Sequence, residues 1–257
     1  YTALVALVDA EVEVNDFARG LTDYYAGQYV PALAAFNRSL TAVPDHDAAP
    51  HYYKALALRE DAEPGAAVAE FLNLIDTHAG DDLWDNAWFE LARTYWLWMD
   101  NLPGATQTLL NFVSAAPADP RAPEALDLAA VIAESNSDLA QAAQVWDRIP
   151  VEYPASPQAS LAAFDSGMVL VRSGDFASAA ERFEQSAALT TDPARLAAAR
   201  LWVGKCAAAT GDTTEAQSAW ALAATLDPTG YYSVRASDLL AGRPPFFPRS
   251  GYSLAVD

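Results

Sequence analysis

The sequence predicts an all-α protein in which antiparallel helix pairs stack in series as a right-handed superhelix, and three periodic observations carry that expectation. A small residue followed four positions later by a large apolar one recurs at Ala32/Phe36, Ala67/Phe71, Ala105/Leu109, Ala142/Trp146, Ala179/Phe183 and Ala216/Trp220, with successive alanines 35, 38, 37, 37 and 37 residues apart. A second small residue (Gly20, Ala55, Ala92, Ala130, Gly167, Gly204) stands twelve positions before each alanine, or thirteen in the third unit. Five positions before each alanine comes a turn former, namely Gly27, Asp100, Ser137, Gly174 or Gly211, with Ala62 the weakest of the set. Self-similarity at this period is the mark of a repeat array whose units cannot bury their apolar faces alone.

Each unit therefore reads as helix, tight turn, helix, stop, and residues 1–228 are divided into six such pairs. Small residues let two helices approach closely, so the Gly or Ala of the first helix is expected to face the alanine of the second, with the Phe or Trp filling the wedge between neighbouring pairs. Turn chemistry agrees: Gly174-Asp175 and Gly211-Asp212 offer a permissive backbone and then a capping carboxylate, while Pro31, Pro64 and Pro103 sit near helix starts, where a missing N–H matters little. Pro44, Pro117, Pro154 and Pro228 end four of the units. Beyond them, residues 229–257 are expected to form a closing helix with Tyr232, Ala236 and Leu239 or Leu240 inward, stopped at Gly242, and then a Pro-rich connector (Pro244-Pro245) toward a missing C-terminal domain. The chain opens on Tyr1 without a methionine, which leads us to expect a processed product.

Composition narrows the function classes. With 52% hydrophobic and 19% charged residues the chain is globular rather than disordered. A formal charge of −19 argues against a nucleic-acid partner and is read as a solvating acidic coat. No run of apolar residues is long enough for a membrane span, and the single Cys206 has no partner for an intrachain disulfide, so it is expected to pack as a small hydrophobe.

Candidate chemistry is sparse. In "LWDNAWFELARTYWLWMD" the spacing of Trp88, Leu91, Ala92 and Tyr95 makes one helix face, so Trp88 and Tyr95 are expected in the core. Trp84 and Trp96 have two possible places. They either pack on neighbouring repeats or line the concave surface as binding platforms for sugar rings or a peptide. His46, His51 and His78 fall in or near inter-repeat segments; nothing in their spacing fixes a metal geometry, and they are read as solvated loop side chains. The carboxylates Asp81, Asp82 and Asp85, and Glu11, Glu13 and Asp16, are read as caps or solvation, and "ESN" at Glu134 to Asn136 stands at a repeat turn rather than opening a catalytic helix. No catalytic residue, cofactor or metal is expected.

The pattern resembles the tetratricopeptide repeat (TPR), whose W-x2-L-G-x2-Y, A-x3-F and P signature is matched in pieces over residues 16 to 228, best at Trp88, Leu91, Ala92, Tyr95 and in "SGDFASAAERFEQSAAL" and "TGDTTEAQSAWALAATLDP". That resemblance implies a TPR-like α-solenoid. Joints such as Tyr153-Pro154-Ala155-Ser156-Pro157 look like those of bacterial cell-envelope TPR proteins, which implies a periplasmic or otherwise extracytoplasmic location. Tyr231-Tyr232 followed by Arg235-Ala236 is similar to the junction in soluble lytic murein transglycosylases, where a helical-repeat region meets a lysozyme-like catalytic domain. It implies a non-catalytic scaffold holding a peptidoglycan glycan strand or its own catalytic domain, with Tyr231, Tyr232 and Arg235 at the domain junction. The alternative is a free-standing adaptor that grips a peptide or another envelope protein.

Overall fold

The structure, a computed structural model, describes residues 1–10, 12–43 and 46–243. Among the described residues there are fourteen α-helices, one π-helical turn and no strand. The chain divides into two compact units, at Asn136/Ser137. Pro44, Glu11 and the Pro244-Pro245 connector lie outside the described residues.

The first unit contains α1 (Thr2–Asp9), α2 (Asp16–Tyr25), α3 (Tyr29–Ala42), α4 (Ala49–Glu60), α5 (Pro64–Thr77), α6 (Trp84–Arg93), α7 (Leu102–Ala115) and α8 (Ala122–Ser135). Helix α1 precedes the first unit of the repeat and carries none of its small and large register, so periodicity does not reveal it. Its Leu4 is buried. Each later core is made from the recurrent positions: Ala32, Phe36 and Ala57 in one cluster, and Ala55, Ala67, Phe71 and Leu91 in the next. Burying each of these Phe side chains is worth about 1.5–3 kcal/mol.

The second unit contains α9 (Leu139–Glu152), α10 (Ala159–Ser173), α11 (Phe176–Ala188), α12 (Pro193–Thr210), α13 (Thr213–Leu226) and α14 (Tyr231–Leu240). Ala179, Phe183, Val203, Cys206 and Ala219 form one core, and Leu201, Ala223 and Ala236 form another, against which Tyr232 and Leu239 of α14 pack. Asp147 of α9 ties three helices together. It accepts hydrogen bonds from Ser166 of α10 (2.6 Å) and Arg182 of α11 (2.7 Å).

How the small residues work differs from the sequence expectation. A Cβ built on Gly20 would stand 2.5 Å from the ring of Phe36, and one on Gly167 would stand 2.7 Å from that of Phe183. At Gly204 the neighbour is the indole of Trp220. At these three glycines the small residue receives the aromatic ring of its own partner helix, and a Cβ on Gly204 would also meet the carbonyl of Ala216 on that helix at 3.0 Å. The ring needs the depth of a missing methyl.

The turns follow one geometry. Gly27, Gly174 and Gly211 have φ of +72°, +85° and +90°, and Ala62, Asp100 and Ser137 have φ of +62°, +51° and +62°. Ala62, the weakest turn former by sequence, adopts the same left-handed conformation as the glycines. Asp175 and Asp212 then cap the next helices, accepting from the N–H of Ser178 (3.1 Å) and Glu215 (2.9 Å).

One local departure from the repeat has a visible cause. The thirteenth residue of the third unit is absorbed between α6 and α7 as a π-helical turn, Thr94–Trp98. The wider i→i+5 loop accommodates an extra residue without breaking the helix. Asn101 N–H reaches the carbonyl of Tyr95 at 2.8 Å, six residues back, whereas the equivalent bonds at Asp175 and Asp212 (both 2.9 Å) reach five residues back.

Candidate functional site

In the second unit a pocket of ≈ 160 Å³ opens between α10, α11, α12 and α14. It exists because small side chains, Ser160, Ser186, Ala194 and Ala198, occupy positions where three helices converge. Ser160 and Ser186 are buried, and the hydroxyl of Ser186 donates to the carbonyl of Ser160 (2.8 Å), so the floor is polar but already satisfied. Phe164 forms a wall, fixed edge-on against Phe183 with centroids 5.1 Å apart. Tyr232 closes the α14 side, and Leu161, 43% exposed, stands at the rim with Arg195, whose guanidinium lies 3.7 Å from Asp192. The lining is apolar with satisfied polar groups beneath it. Such a site holds an apolar side chain and offers no group for bond breaking.

The closing helix arranges the residues singled out by sequence in two directions. Tyr232 and Ala236 face the core, whereas Tyr231 is 65% exposed and meets Tyr232 edge-on at 5.2 Å. Arg235 donates to the carbonyl of Arg243 (3.3 Å). It also lies close enough to Lys205 that, together with burial, it lowers the lysine's pKa. Lys205 sits 3.9 Å from the centre of the Trp202 ring.

In the first unit, Trp84 is a joint between helices. Its indole N–H donates to the carbonyl of Ile75 (2.9 Å), and its ring packs against Trp88 and Phe112 at 5.8 and 5.9 Å. The two residues expected in the core are both half-buried, Tyr95 against the Phe71 cluster and Trp88 against Phe112, and Phe89 between them in sequence is the one fully enclosed. Trp96 is half-buried within the π-turn. The turn also presents Leu97, Trp98 and Met99 to solvent, with the Arg59 guanidinium 4.2 Å from the centre of the Trp98 ring. That patch was not singled out by sequence reasoning. Its signal was the thirteen-residue spacing.

The carboxylates are committed locally. Asp81 accepts from Ala48 N–H (3.1 Å) and Leu83 N–H (3.0 Å), Asp85 from Arg121 (2.9 Å), and Asp16 from Arg38 (2.8 Å). Arg121 itself stacks over Phe89 at 3.8 Å; burial depresses its pKa, but the hydrogen bond and charge of Asp85 and Glu124 outweigh this and raise it. The histidines differ from the solvated loop reading. His46, His51 and His78 are all half-buried and pack ring against ring, with centroids 4.8 to 5.4 Å apart. Among the described residues no helix is long and apolar enough to cross a membrane.

Comparison with known proteins bears on the fold. Residues 164–231 match the family "Tetratricopeptide repeat". The C-terminal part of a TPR repeat-containing protein from Cytophaga hutchinsonii superposes with a TM-score of 0.59 at 14% identity, covering 91% of this chain and 92% of that one. Looser likenesses include YrrB, described as a TPR protein with an unusual peptide-binding site (TM-score 0.49, 17% identity, 79% of this chain and 98% of that one). Another is pilF of Pseudomonas aeruginosa (0.43, 15%, 92% and 99%). No curated protein matches the sequence. Residues 164–231 thus match the tetratricopeptide repeat, and the chain shares the all-helical fold of a solved TPR repeat-containing protein.

Proposed function

We propose that the chain is a protein-interaction scaffold that captures a peptide segment by one apolar anchor residue. The observation that carries this is the pocket between α10, α12 and α14, which is open to solvent and apolar in lining, with Leu161 and Arg195 at its rim. An anchor entering it gains burial without leaving the serines beneath unpaired. Selection from a random phage-displayed peptide library tests this. Enriched peptides sharing an apolar anchor, lost in Leu161→Asp with unchanged helical circular dichroism, support the reading. An enrichment indifferent to Leu161→Asp refutes it.

A second reading is favoured by α14. The exposed Tyr231 and the half-buried Arg235, one turn on, stand beside the inward Tyr232 and Ala236, as a residue pair docking a following domain would. On this reading the chain is the non-catalytic helical region of a peptidoglycan lytic transglycosylase, orienting a glycan strand and working in the bacterial cell envelope. Purified peptidoglycan sacculi should then retain the protein. Free passage of the protein through sacculi would count against it.

A further inference from the structure

The three histidines of the chain, at positions 46, 51 and 78, are separated by up to 32 residues in sequence, yet all three meet at one place in the first unit. Each offers a ring nitrogen, and these nitrogens lie within 4.8 Å of one another. Two inter-helix segments and the start of α4 create the meeting point. His46 lies in the segment before α4, His51 is on its first turn, and His78 caps the C-terminus of α5. Asp81 fastens the two segments together, bonding Ala48 N–H on one and Leu83 N–H on the other.

The hydrogen bonds limit the tautomers that can bind an ion. His51 Nδ1 faces the carboxylate of Glu70. The same carboxylate lies 2.9 Å from the ammonium of Lys54, and its oxygens accept, so Nδ1 is the donor. Asn73 is a longer neighbour of the same nitrogen, at 3.4 Å. His46 Nδ1 faces the carbonyl of Asp47 at 3.0 Å, so it too is the donor. His78 Nδ1 lies 2.6 Å from the Thr77 hydroxyl, which also donates to the carbonyl of Asn73 (2.7 Å), so the ring can donate to that oxygen from Nδ1. His78 Nε2 lies 3.3 Å from the carbonyl of His46, so ligation through it takes the tautomer protonated at Nδ1 and gives up that contact. In that form every Nδ1 faces an oxygen and three Nε2 lone pairs are left for a ligand. Lone pairs collected in one half-buried place repel one another unless a cation joins them.

We propose that His46, His51 and His78 form a binding site for a divalent transition-metal ion, zinc or a similar borderline ion, through their Nε2 atoms, with a fourth position open to water or a partner's side chain. Imidazole nitrogen suits this class of ion, and the His51–Glu70 contact is the carboxylate partner that commonly orients a ligating histidine. Tetrahedral ligation at about 2.0–2.1 Å requires nitrogens roughly 3.3 Å apart, so nitrogens up to 4.8 Å apart must close in by about 1.5 Å at the widest pair. The field favours a cation: residues 1–136 carry 21 acidic and 6 basic side chains, which is 15 of the 19 net negative charges.

The test uses the full chain, without a polyhistidine tag and dialysed against chelator. It is titrated with zinc by calorimetry and with cobalt(II) by visible absorption. One ion per chain is expected, with the visible bands of nitrogen-ligated, four-coordinate cobalt and a rise in melting temperature on adding zinc. His46→Ala, His51→Ala and His78→Ala should each weaken binding at least about tenfold, and Glu70→Gln by about 10- to 100-fold. His46→Gln, outside any helix, decides the matter if a variant at His51 loses helical signal. Absence of stoichiometric uptake by the wild-type chain overturns the proposal. So does uptake that persists in the triple variant, which would assign the ion to the acidic surface.

Discussion

Replacing Ala62 with glycine should stabilise the first unit, against the usual expectation that glycine weakens a folded chain. Ala62 has φ +62°, is exposed, and lies where the other turns place Gly27, Gly174 and Gly211. Holding an L-residue in the left-handed region costs about 1–2 kcal/mol. Glycine removes that strain but adds unfolded-state freedom worth about 0.4–1 kcal/mol. The exposed methyl buries nothing, so the net gain should be about 0.5–1 kcal/mol, or about 1–4 °C in melting temperature for a protein of this size. The reciprocal change, Gly174→Ala, meets no atom within 4 Å and tests φ alone, so it should lower stability by a similar amount. Thermal melts followed by circular dichroism at the helical band read both, each on the transition of the unit that carries the change. A lower melting temperature for Ala62→Gly, or a higher one for Gly174→Ala, would refute the claim that strain at this position sets the difference.

Three further outcomes follow from the packing. Gly204→Ala should destabilise by about 1–3 kcal/mol through overpacking against Trp220, despite alanine's better helix propensity, whereas Gly65→Ala, with nothing within 4 Å, should be neutral or stabilising in the same urea titration. Cys206 is buried, and burial pushes its thiol up to about 11, so a thiol reagent at pH 8 should label it only as the chain unfolds; rapid labelling of the native protein would contradict its enclosure. Asp23 is buried, and burial raises its pKa more than the nearby Arg19 lowers it. The folded state therefore holds this proton more tightly than the unfolded one, a contribution to stability present below the unfolded carboxylate value and lost as pH rises through the folded one. Asp23→Asn should accordingly be more stable than wild type at pH 7, with an advantage that shrinks on acidification, and an advantage that grows toward low pH would reverse the sign.

The parts of the fold that rest on local spacing were legible in the sequence, and those that rest on a partner helix were not. Small and large residues at fixed offsets located the helices from α2 to α13, and turn position was legible even at Ala62, where the residue type gave little support. There the demand of the helix pair overrides the preference of the side chain. Direction was harder to read. Which surface receives the Phe36 ring depends on how deep Gly20 lets it sink, and a one-letter pattern does not contain depth. The histidines were illegible for a related reason. His46 and His78 sit 32 residues apart and adjoin only because two successive inter-repeat segments run side by side, so no short-range ligand motif was available. The apolar pocket likewise depends on three helices contributing small side chains at one level, with Tyr232 of a fourth closing it.

The Thr94–Trp98 turn shows how a chain of this kind can change length by a single amino acid. The surplus is taken up as a bulge in the ladder, so the downstream hairpin keeps its register and only the local skin of the molecule is redrawn. Deleting Leu97 should give back an ordinary α-helical turn and retract the Leu97–Trp98–Met99 ridge. Sites of lengthening inside a helix are thus places where new surface arises without any loop being built.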